Sequence, residues 1–278
     1  MAISRLIVMV CGVVGLLAGN CAHGAMLGPV EHSVRQAESG WQIAYARMGE
    51  RYAEYAAPGS TFTAGATVDS EQGPLSGGAV GYRHESRHLA YGVVYSEETG
   101  DTSYQGYSQD PQTASYTPLT GRTQNARDKV QAWLRYAFTP GGLSNLVILP
   151  GVLVGGERWR RVTPDQNTET YQYECIAGTL TLQHAMGPVV LSVSGAMGRT
   201  LYPVLHSSLI DQTLHLGTAP WRRYAIQLTY DAIPAFSLFA RYAQTRFGFG
   251  MSQASSGVYE PHSQTTEEQG ELGMLVRF

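Results

Sequence analysis

The sequence is poor in charged residues and carries almost no net charge, and each shortage excludes a class of protein. Only 15% of its 278 residues are charged, which is low for a typical soluble enzyme. Its 17 tyrosines and 43% hydrophobic content argue against disorder. The formal net charge of -3 gives no overall attraction to nucleic acid, so we predict no nucleic-acid partner.

Long apolar runs are also scarce. The longest, Leu6–Leu17, is shorter than the roughly 20 residues that a spanning helix needs. A positive charge precedes this run, and small residues flank His23 just before Ala25, so we interpret residues 1–24 as a cleavable export signal. An N-terminal membrane helix and lipidation of Cys21 are the alternatives. We expect residues 25–40 to form a polar periplasmic linker.

Cysteine is limited to three positions, of which Cys11 and Cys21 fall in the expected signal. Cys175 then has no partner for an intramolecular disulfide, even in an oxidising compartment. Its neighbours Tyr171, Tyr173 and Ala177 indicate a small apolar strand residue rather than a reactive thiol.

What the sequence does contain is alternation, most clearly in its last nine residues. One parity of this strand is apolar or small, and the other includes two charges: Gly270, Leu272, Met274, Val276 and Phe278 against Glu271, Gly273, Leu275 and Arg277. The run Glu271–Phe278 resembles the C-terminal assembly signal of bacterial outer-membrane β-barrels, with Gly273, Val276 and Phe278 at signal positions. The resemblance implies an integral outer-membrane protein that contacts lipid and lipopolysaccharide and is inserted by the barrel-assembly machinery.

Similar segments precede this strand. A membrane-resident chain without a later spanning helix must cross as a closed barrel, in which every backbone group is paired between strands. We therefore predict that residues 41–278 form one antiparallel transmembrane β-barrel of about ten strands, with eight or twelve as alternatives. The predicted strands are Trp41–Ala56, Leu75–Ser86, Leu89–Glu98, Lys129–Phe138, Leu146–Trp159, Tyr171–His184, Val189–Leu201, Trp221–Tyr230, Phe236–Gly250 and Glu267–Phe278.

The predicted connections alternate strictly between short and long. This is typical of barrels with short periplasmic turns and long extracellular loops. The long connections are residues 57–74, 99–128, 160–170, 202–220 and 251–266. Within the second of these, residues 102–107 could either extend a strand or form a loop hairpin.

Charged residues occupy the inward parity of several predicted strands. Since a barrel of about ten strands is only slightly wider than one filled by its own side chains, we expect these charges to pair across the lumen. A wet pore lined by the same residues is the alternative. The predicted network comprises Arg83, Glu85, Arg135, Arg223, Arg241, Glu271 and Arg277.

A second set of charges falls near the predicted extracellular rim. Acidic residues come from the first three strands and their loops, and arginines come from later strands. If the acidic residues and the arginines face each other across the rim, they would form a site for a zwitterionic or anionic ligand or for a hard cation. If they form ion pairs with each other, they would fix the structure of the rim. The set comprises Glu50, Glu54, Asp69, Glu71, Glu97, Glu98, Asp101, Arg158, Arg160, Arg161, Arg199, Arg222 and Arg246.

The sequence gives weaker support for catalytic residues than for the two sets of charged residues. The strand count is similar to that of the omptin proteases, whose chemistry implies an Asp pair facing an Asp and His pair. Asp211 and His215 with Asp69 or Asp101 have those residue types, but the local omptin motifs are absent. His206-x-Ser208 resembles the His and Ser of outer-membrane phospholipases and lipid A deacylases without their flanking pattern.

We therefore assign no catalytic residue, metal or cofactor from the sequence. The pattern favours a structural or binding barrel with a charge-networked, largely filled lumen. A narrow channel for small polar solutes and a surface hydrolase acting on lipid or peptide are the alternatives.

Overall fold

The computed structural model describes residues 37–58, 60–109, 115–140, 145–209, 212–253 and 259–277. The expected export signal, most of the expected linker, Asp211 and Phe278 lie outside these residues. The strands are β1 (Gly40–Tyr55), β2 (Thr67–Glu85), β3 (Leu89–Gln109), β4 (Tyr116–Tyr136), β5 (Leu146–Val162), β6 (Thr168–Met186), β7 (Val189–Ser207), β8 (Gln212–His215), β9 (Pro220–Ile233), β10 (Phe236–Phe249) and β11 (His262–Val276).

Ten of the eleven strands form a closed antiparallel barrel, while β8 pairs with the far end of β7. Neighbours follow chain order from β1 to β7 and from β9 to β11; β7 pairs with β9, and β11 returns to β1. The prediction of an antiparallel all-β barrel with about ten strands is confirmed. Because β1 and β6 are five strands apart in either direction around this ring of ten, they lie on opposite sides of the lumen.

The strands are longer than predicted at one end of the barrel. Residues 99–109 and 116–128, predicted as a loop, continue β3 and β4 as a paired hairpin. In the same way β5 and β6 extend to Val162 and back to Thr168, which leaves a short connection. We call this end the loop end. The opposite end, with the short connections β2–β3, β6–β7 and β9–β10, is the turn end.

An apolar band surrounds the barrel near the turn end. Outward-facing aromatic residues mark its two edges: Trp41, Tyr136, Phe138 and Tyr230 toward the turn end, and Tyr45, Tyr95, Tyr224 and Tyr242 toward the loop end. Beyond the second edge the outward positions become charged at Arg47, Glu97, Asp128, Arg158, Arg199 and Arg222. This arrangement is typical of a lipid-facing surface between aromatic girdles, with the strands continuing past it toward the loop end.

The last residues of the expected linker fold into the barrel, which the sequence did not indicate. Glu38 is 5% exposed and pairs with Arg83 at 3.1 Å. Ala37 is fully buried in an apolar cluster with Ala137, Leu149 and Val190. Ala37 and Glu38 therefore occupy part of the lumen at the turn end. Across the part of the chain that the structure describes, no helix has the length and hydropathy to cross a bilayer.

Candidate functional site

A layer of buried charged and aromatic side chains crosses the lumen toward the loop end. Arg127 on β4 is fully buried and reaches three other strands. Its Nε donates to Glu50 Oε2 of β1 at 2.6 Å, and its Nη1 donates to Glu267 Oε1 of β11 at 2.7 Å. The same Nη1 contacts Glu157 on the adjacent β5. One guanidinium thus joins strands from widely separated parts of the ring.

Arg161 forms the second centre of this layer, closer to the loop end. Its side chain is 1% exposed and pairs with Glu71, with Glu169 at 3.0 Å and with Glu54 at 3.6 Å. The indole of Trp159 lies between the two arginines: its ring centroid is 3.9 Å from Arg127 Cζ and 5.2 Å from Arg161 Cζ. Both cations therefore combine carboxylate contacts with an aromatic face.

Two tyrosines complete the crossing. Tyr52 of β1 and Tyr171 of β6 come from opposite sides of the barrel, and their hydroxyl oxygens are 3.2 Å apart. Tyr171 also stacks on Phe249 at a centroid distance of 5.5 Å, and both side chains are fully buried. We call Tyr52, Arg127, Trp159, Arg161 and Tyr171 the central layer. At this level, side chains from diametrically opposed strands meet across the lumen.

A mouth pocket of about 150 Å³ lies on the loop-end side of the central layer. Arg161 is the one cationic side chain among its described lining residues. The remaining lining combines acidic and aromatic side chains, including Glu54, Asp69, Asp165, Glu169, Glu260, Phe62, Tyr104, Tyr107, Tyr116 and Tyr259.

Several carboxyls of the mouth pocket resist ionisation. They lie beyond the apolar band, where the outward neighbours are polar. Burial, reinforced by the Glu54 carboxylate, raises the pKa of Asp69 to about 8. Burial likewise raises the pKa of Glu169 to about 7, although Arg161 opposes the shift. Glu260, whose carboxylate accepts a hydrogen bond from Tyr171 at 2.7 Å, has a pKa raised by burial and by Glu54.

A second cavity, of about 120 Å³, lies between the central layer and Glu38; we call it the turn-end cavity. Four arginines line it together with polar residues of β6 and β7. The lining includes Arg83, Arg135, Arg223, Arg241, Glu271, Thr181 and Ser192, with Lys129, Glu157 and Glu267 toward the central layer.

The residues of the predicted lumen network do not form one network. Arg241 lies 3.8 Å from Glu271, while Arg83 pairs with Glu38 instead of a predicted partner. Glu85 accepts a hydrogen bond from Gln183 at 3.1 Å. The Arg223 guanidinium donates to the Gln131 side-chain oxygen, and that of Arg135 lies 5.4 Å from the Trp133 ring centroid.

The last member of that set, Arg277, lies at the turn end. Its Nη2 donates to Asp231 Oδ1 at 2.6 Å, and its Nε donates to the carbonyl of Pro234 at 2.8 Å. Arg277 thus binds the β9–β10 turn rather than a lumen carboxylate. The signal residues Gly273 and Val276 lie on β11, with Gly273 paired to Ala44 and Val276 to Trp41.

The predicted rim charges separate into inward and outward groups. Glu50, Glu54, Glu71, Glu98 and Arg161 are buried in the lumen, and Asp69 lines the mouth pocket. The others project from the outer surface of the barrel: Glu97, Asp101, Arg158, Arg160, Arg199, Arg222 and Arg246. The expected pair of facing charged walls is therefore absent from the described rim. Within the predicted set, the ion pairs are those of Arg161 with Glu71 and Glu54, while Glu50 pairs with Arg127.

The candidate catalytic residues are not brought together. His206 and His215 are exposed on β7 and β8, and Asp101 is exposed on β3. The Ser208 hydroxyl donates to Asn167 Oδ1 at 3.0 Å and accepts from the Thr168 amide at 2.8 Å. Asp69 faces the mouth pocket, so it is separated from these exposed side chains. Among the described residues, no group of three or more His, Cys, Asp or Glu side chains is arranged to hold a metal ion.

The sequence did not reveal Arg127, its carboxylate partners Glu157 and Glu267, or Trp159 as lumen residues. Their signal was parity: Arg127 shares the face of Gln131 and Arg135, once β4 is extended toward the loop end. No sequence pattern indicates that Glu38 enters the lumen, because Glu38 precedes the first strand and is outside any alternating segment.

The fold defines the class of protein to which this chain is similar. It has the fold of the outer membrane protease OmpT from Escherichia coli, with a TM-score of 0.56, 9% identity, and coverage of 87% of this chain and 97% of that one. The translocator domain of the autotransporter NalP from Neisseria meningitidis matches with a TM-score of 0.41, 9% identity and coverage of 100% and 98%. Neisserial surface protein A matches with a TM-score of 0.35 and 9% identity, and the match covers 86% of this chain and 98% of that one.

The likeness to OmpT supports a bacterial outer-membrane β-barrel fold and identifies no particular family. No protein-family model and no curated protein matches the sequence.

Proposed function

We propose that this chain is a non-conducting outer-membrane β-barrel of the binding type, with its loop end at the cell surface and its mouth pocket as the binding site. One observation carries the proposal: Tyr52 and Tyr171 span the full width of the lumen and meet at 3.2 Å. Arg127 and Arg161 surround this contact with pairs to carboxylates of several strands. A buried network with several carboxylates on each arginine is costly to open, because separation would strand charges in the barrel interior.

The shape of the interior supports binding at the mouth rather than passage. The mouth pocket ends on the central layer, so a ligand that enters from the loop end has no onward path. Its lining has several carboxyl groups against one arginine, together with aromatic rings. Aromatic faces and carboxylates both favour cations, so the proposed ligand carries an organic cationic group. Such a group would restore the charged forms of Asp69 and Glu169, whose pKa values are raised to about 8 and about 7.

Planar-bilayer recording of the purified protein tests the closed lumen. We expect a quiet baseline, and stepwise currents would refute the proposal in favour of a narrow channel.

Calorimetric titration with spermidine and with citrate tests the mouth pocket. We expect saturable binding of spermidine only, weakened by Asp69→Asn and unchanged by Asp101→Asn, which alters an exposed carboxylate outside the lumen. Equal effects of the two substitutions would place binding outside the pocket.

A further inference from the structure

The turn-end cavity has a different chemistry from the mouth pocket, and the proposed function makes no use of it. Its four arginines come from four strands: Arg83 from β2, Arg135 from β4, Arg223 from β9 and Arg241 from β10. Side chains from such different positions around the ring converge only because the lumen is enclosed. The geometry points to a site for one small oxyanion, such as inorganic phosphate, held between Arg135 and Arg223.

Charge balance is the first argument. Arg83 pairs with Glu38 at 3.1 Å, and Arg241 lies 3.8 Å from Glu271. Among the described residues, neither Arg135 nor Arg223 has a carboxylate within the 4.0 Å that defines an ion pair. Both side chains are half-buried, and removing a cation from water without a counter-charge is destabilising, so an anion at this place would lower the free energy of the folded protein.

Unused hydrogen-bond donors are the second argument. The Nε atoms of Arg135 and Arg223 are buried and have no hydrogen-bond partner among the described residues. The hydroxyls of Thr181 and Ser192, on the neighbouring strands β6 and β7, are in the same situation; these residues are 3% and 8% exposed. Buried donors are normally paired, and a tetrahedral oxyanion accepts several hydrogen bonds at once.

Size and access define the ligand class. A cavity of about 120 Å³ is several times larger than the space that one water occupies, which leaves room for a small anion with its waters. Glu157 and Glu267, which contact Arg127 of the central layer, line the cavity on one side, and Glu38 lies on the other. Glu38 is held by Arg83, and its carboxylate also accepts from Gln227 at 3.0 Å and from Thr229 at 2.6 Å. A free anion fits this enclosure, whereas a headgroup attached to lipid does not.

The test is calorimetric titration of the full barrel in a phosphate-free maltoside detergent, with sodium phosphate against sodium chloride at equal ionic strength. We expect saturable phosphate binding near one per chain and a raised thermal midpoint. Each arginine supplies charge-assisted hydrogen bonds, so Arg135→Gln and Arg223→Gln should each weaken binding roughly tenfold or more. The matched control is Arg158→Gln, an exposed arginine on the outer surface, which should bind as the wild type does.

A second pair of variants keeps the test decisive if an arginine variant does not fold. Thr181→Val and Ser192→Ala retain both arginines and remove one donor each, and we expect several-fold weaker phosphate binding. The inference is wrong if the wild type shows no saturable phosphate binding. It is also wrong if phosphate binds equally well to the Arg135, Arg223, Thr181 and Ser192 variants, because the anion would then bind elsewhere.

Discussion

Replacing Arg127 by methionine probes the closed lumen most directly. Methionine can keep an apolar contact with Trp159 while it removes the guanidinium. Lys129 would still pair with Glu267 at 2.8 Å and lie 4.0 Å from Glu157. Glu50, which is fully buried, would lose its contact with Arg127 at 2.6 Å and would be stranded.

The cost follows from the chemistry of that stranded carboxyl. A buried carboxylate without a partner takes up a proton rather than remain charged. For a carboxyl of ordinary pKa, about 4.3, protonation at pH 7 costs about 3.7 kcal/mol. This is within the range of about 3–5 kcal/mol for breaking a buried ion pair. Burial already raises the pKa of Glu50 in the wild type, although Arg127 opposes the shift, so part of this cost is present before the substitution. We therefore expect Arg127→Met to lower the free energy of unfolding by at most about 4 kcal/mol at pH 7.

The same reasoning fixes the sign of the pH dependence. In the folded variant the pKa of the stranded carboxyl is raised above its unfolded value. Its contribution to stability is then complete at low pH and is lost as the pH rises. At pH 5 protonation costs only about 1 kcal/mol, so most of the lost stability should return.

Urea unfolding of vesicle-reconstituted protein, followed by tryptophan fluorescence and gel mobility at pH 5 and pH 7, measures both quantities. Arg199→Met, which removes an exposed arginine outside the lumen, is the control and should be neutral. A loss of equal size at the two pH values would contradict the stranded-carboxyl argument. Wild-type stability at pH 7 would contradict the central layer itself.

Three further outcomes follow from the same geometry. Trp159→Ala removes the ring between the two central arginines and should cost about 3–5 kcal/mol in urea unfolding; a loss below 1 kcal/mol would contradict its place in the layer. Asp69, whose pKa is raised to about 8, should make the wild type less stable as the pH rises from 4 to 8, and Asp69→Asn should flatten that urea-unfolding profile. Glu271→Ala removes a 3.8 Å pair with the partly exposed Arg241, so we expect the heat-modification midpoint to fall by roughly 2–4 °C, and an unchanged midpoint would refute the pairing.

The sequence predicted the fold well wherever one face of a strand contacts the apolar band. In β11, Leu272 and Met274 are exposed outward while Glu271 and Leu275 are buried, as the alternation indicated. Hydrophobic alternation reports strands only where the two faces meet different media. Between Thr99 and Asp128 both faces of the strands are polar, because this part of β3 and β4 lies beyond the apolar band. The alternation is lost there, and the sequence therefore predicted a loop.

The interior was predictable only in part, because pairing in the lumen depends on which strands face each other. Parity placed Arg135, Arg223 and Arg241 inside, but nothing in the sequence gives the distance between strands across a closed ring. Arg158, Arg160 and Arg161 were all expected at the rim, because the sequence does not show which of them face the lumen. In the structure Trp159 and Arg161 occupy the inward positions instead.

The two cavities also bear on why this barrel should bind rather than conduct. The turn-end cavity has four arginines and Lys129 against Glu38, Glu157, Glu267 and Glu271, whereas the mouth pocket has mainly carboxyls against Arg161. A small anion attracted to Arg135 and Arg223 would be repelled at the mouth, and a cation held at the mouth would be repelled at the turn end. Electrostatics therefore oppose the transit of either sign, even in a variant whose central layer is opened. Trp159→Ala should then show at most small currents, whereas large currents in that variant would mean that the Trp159 side chain, and not the opposed charges of the two cavities, prevents transit.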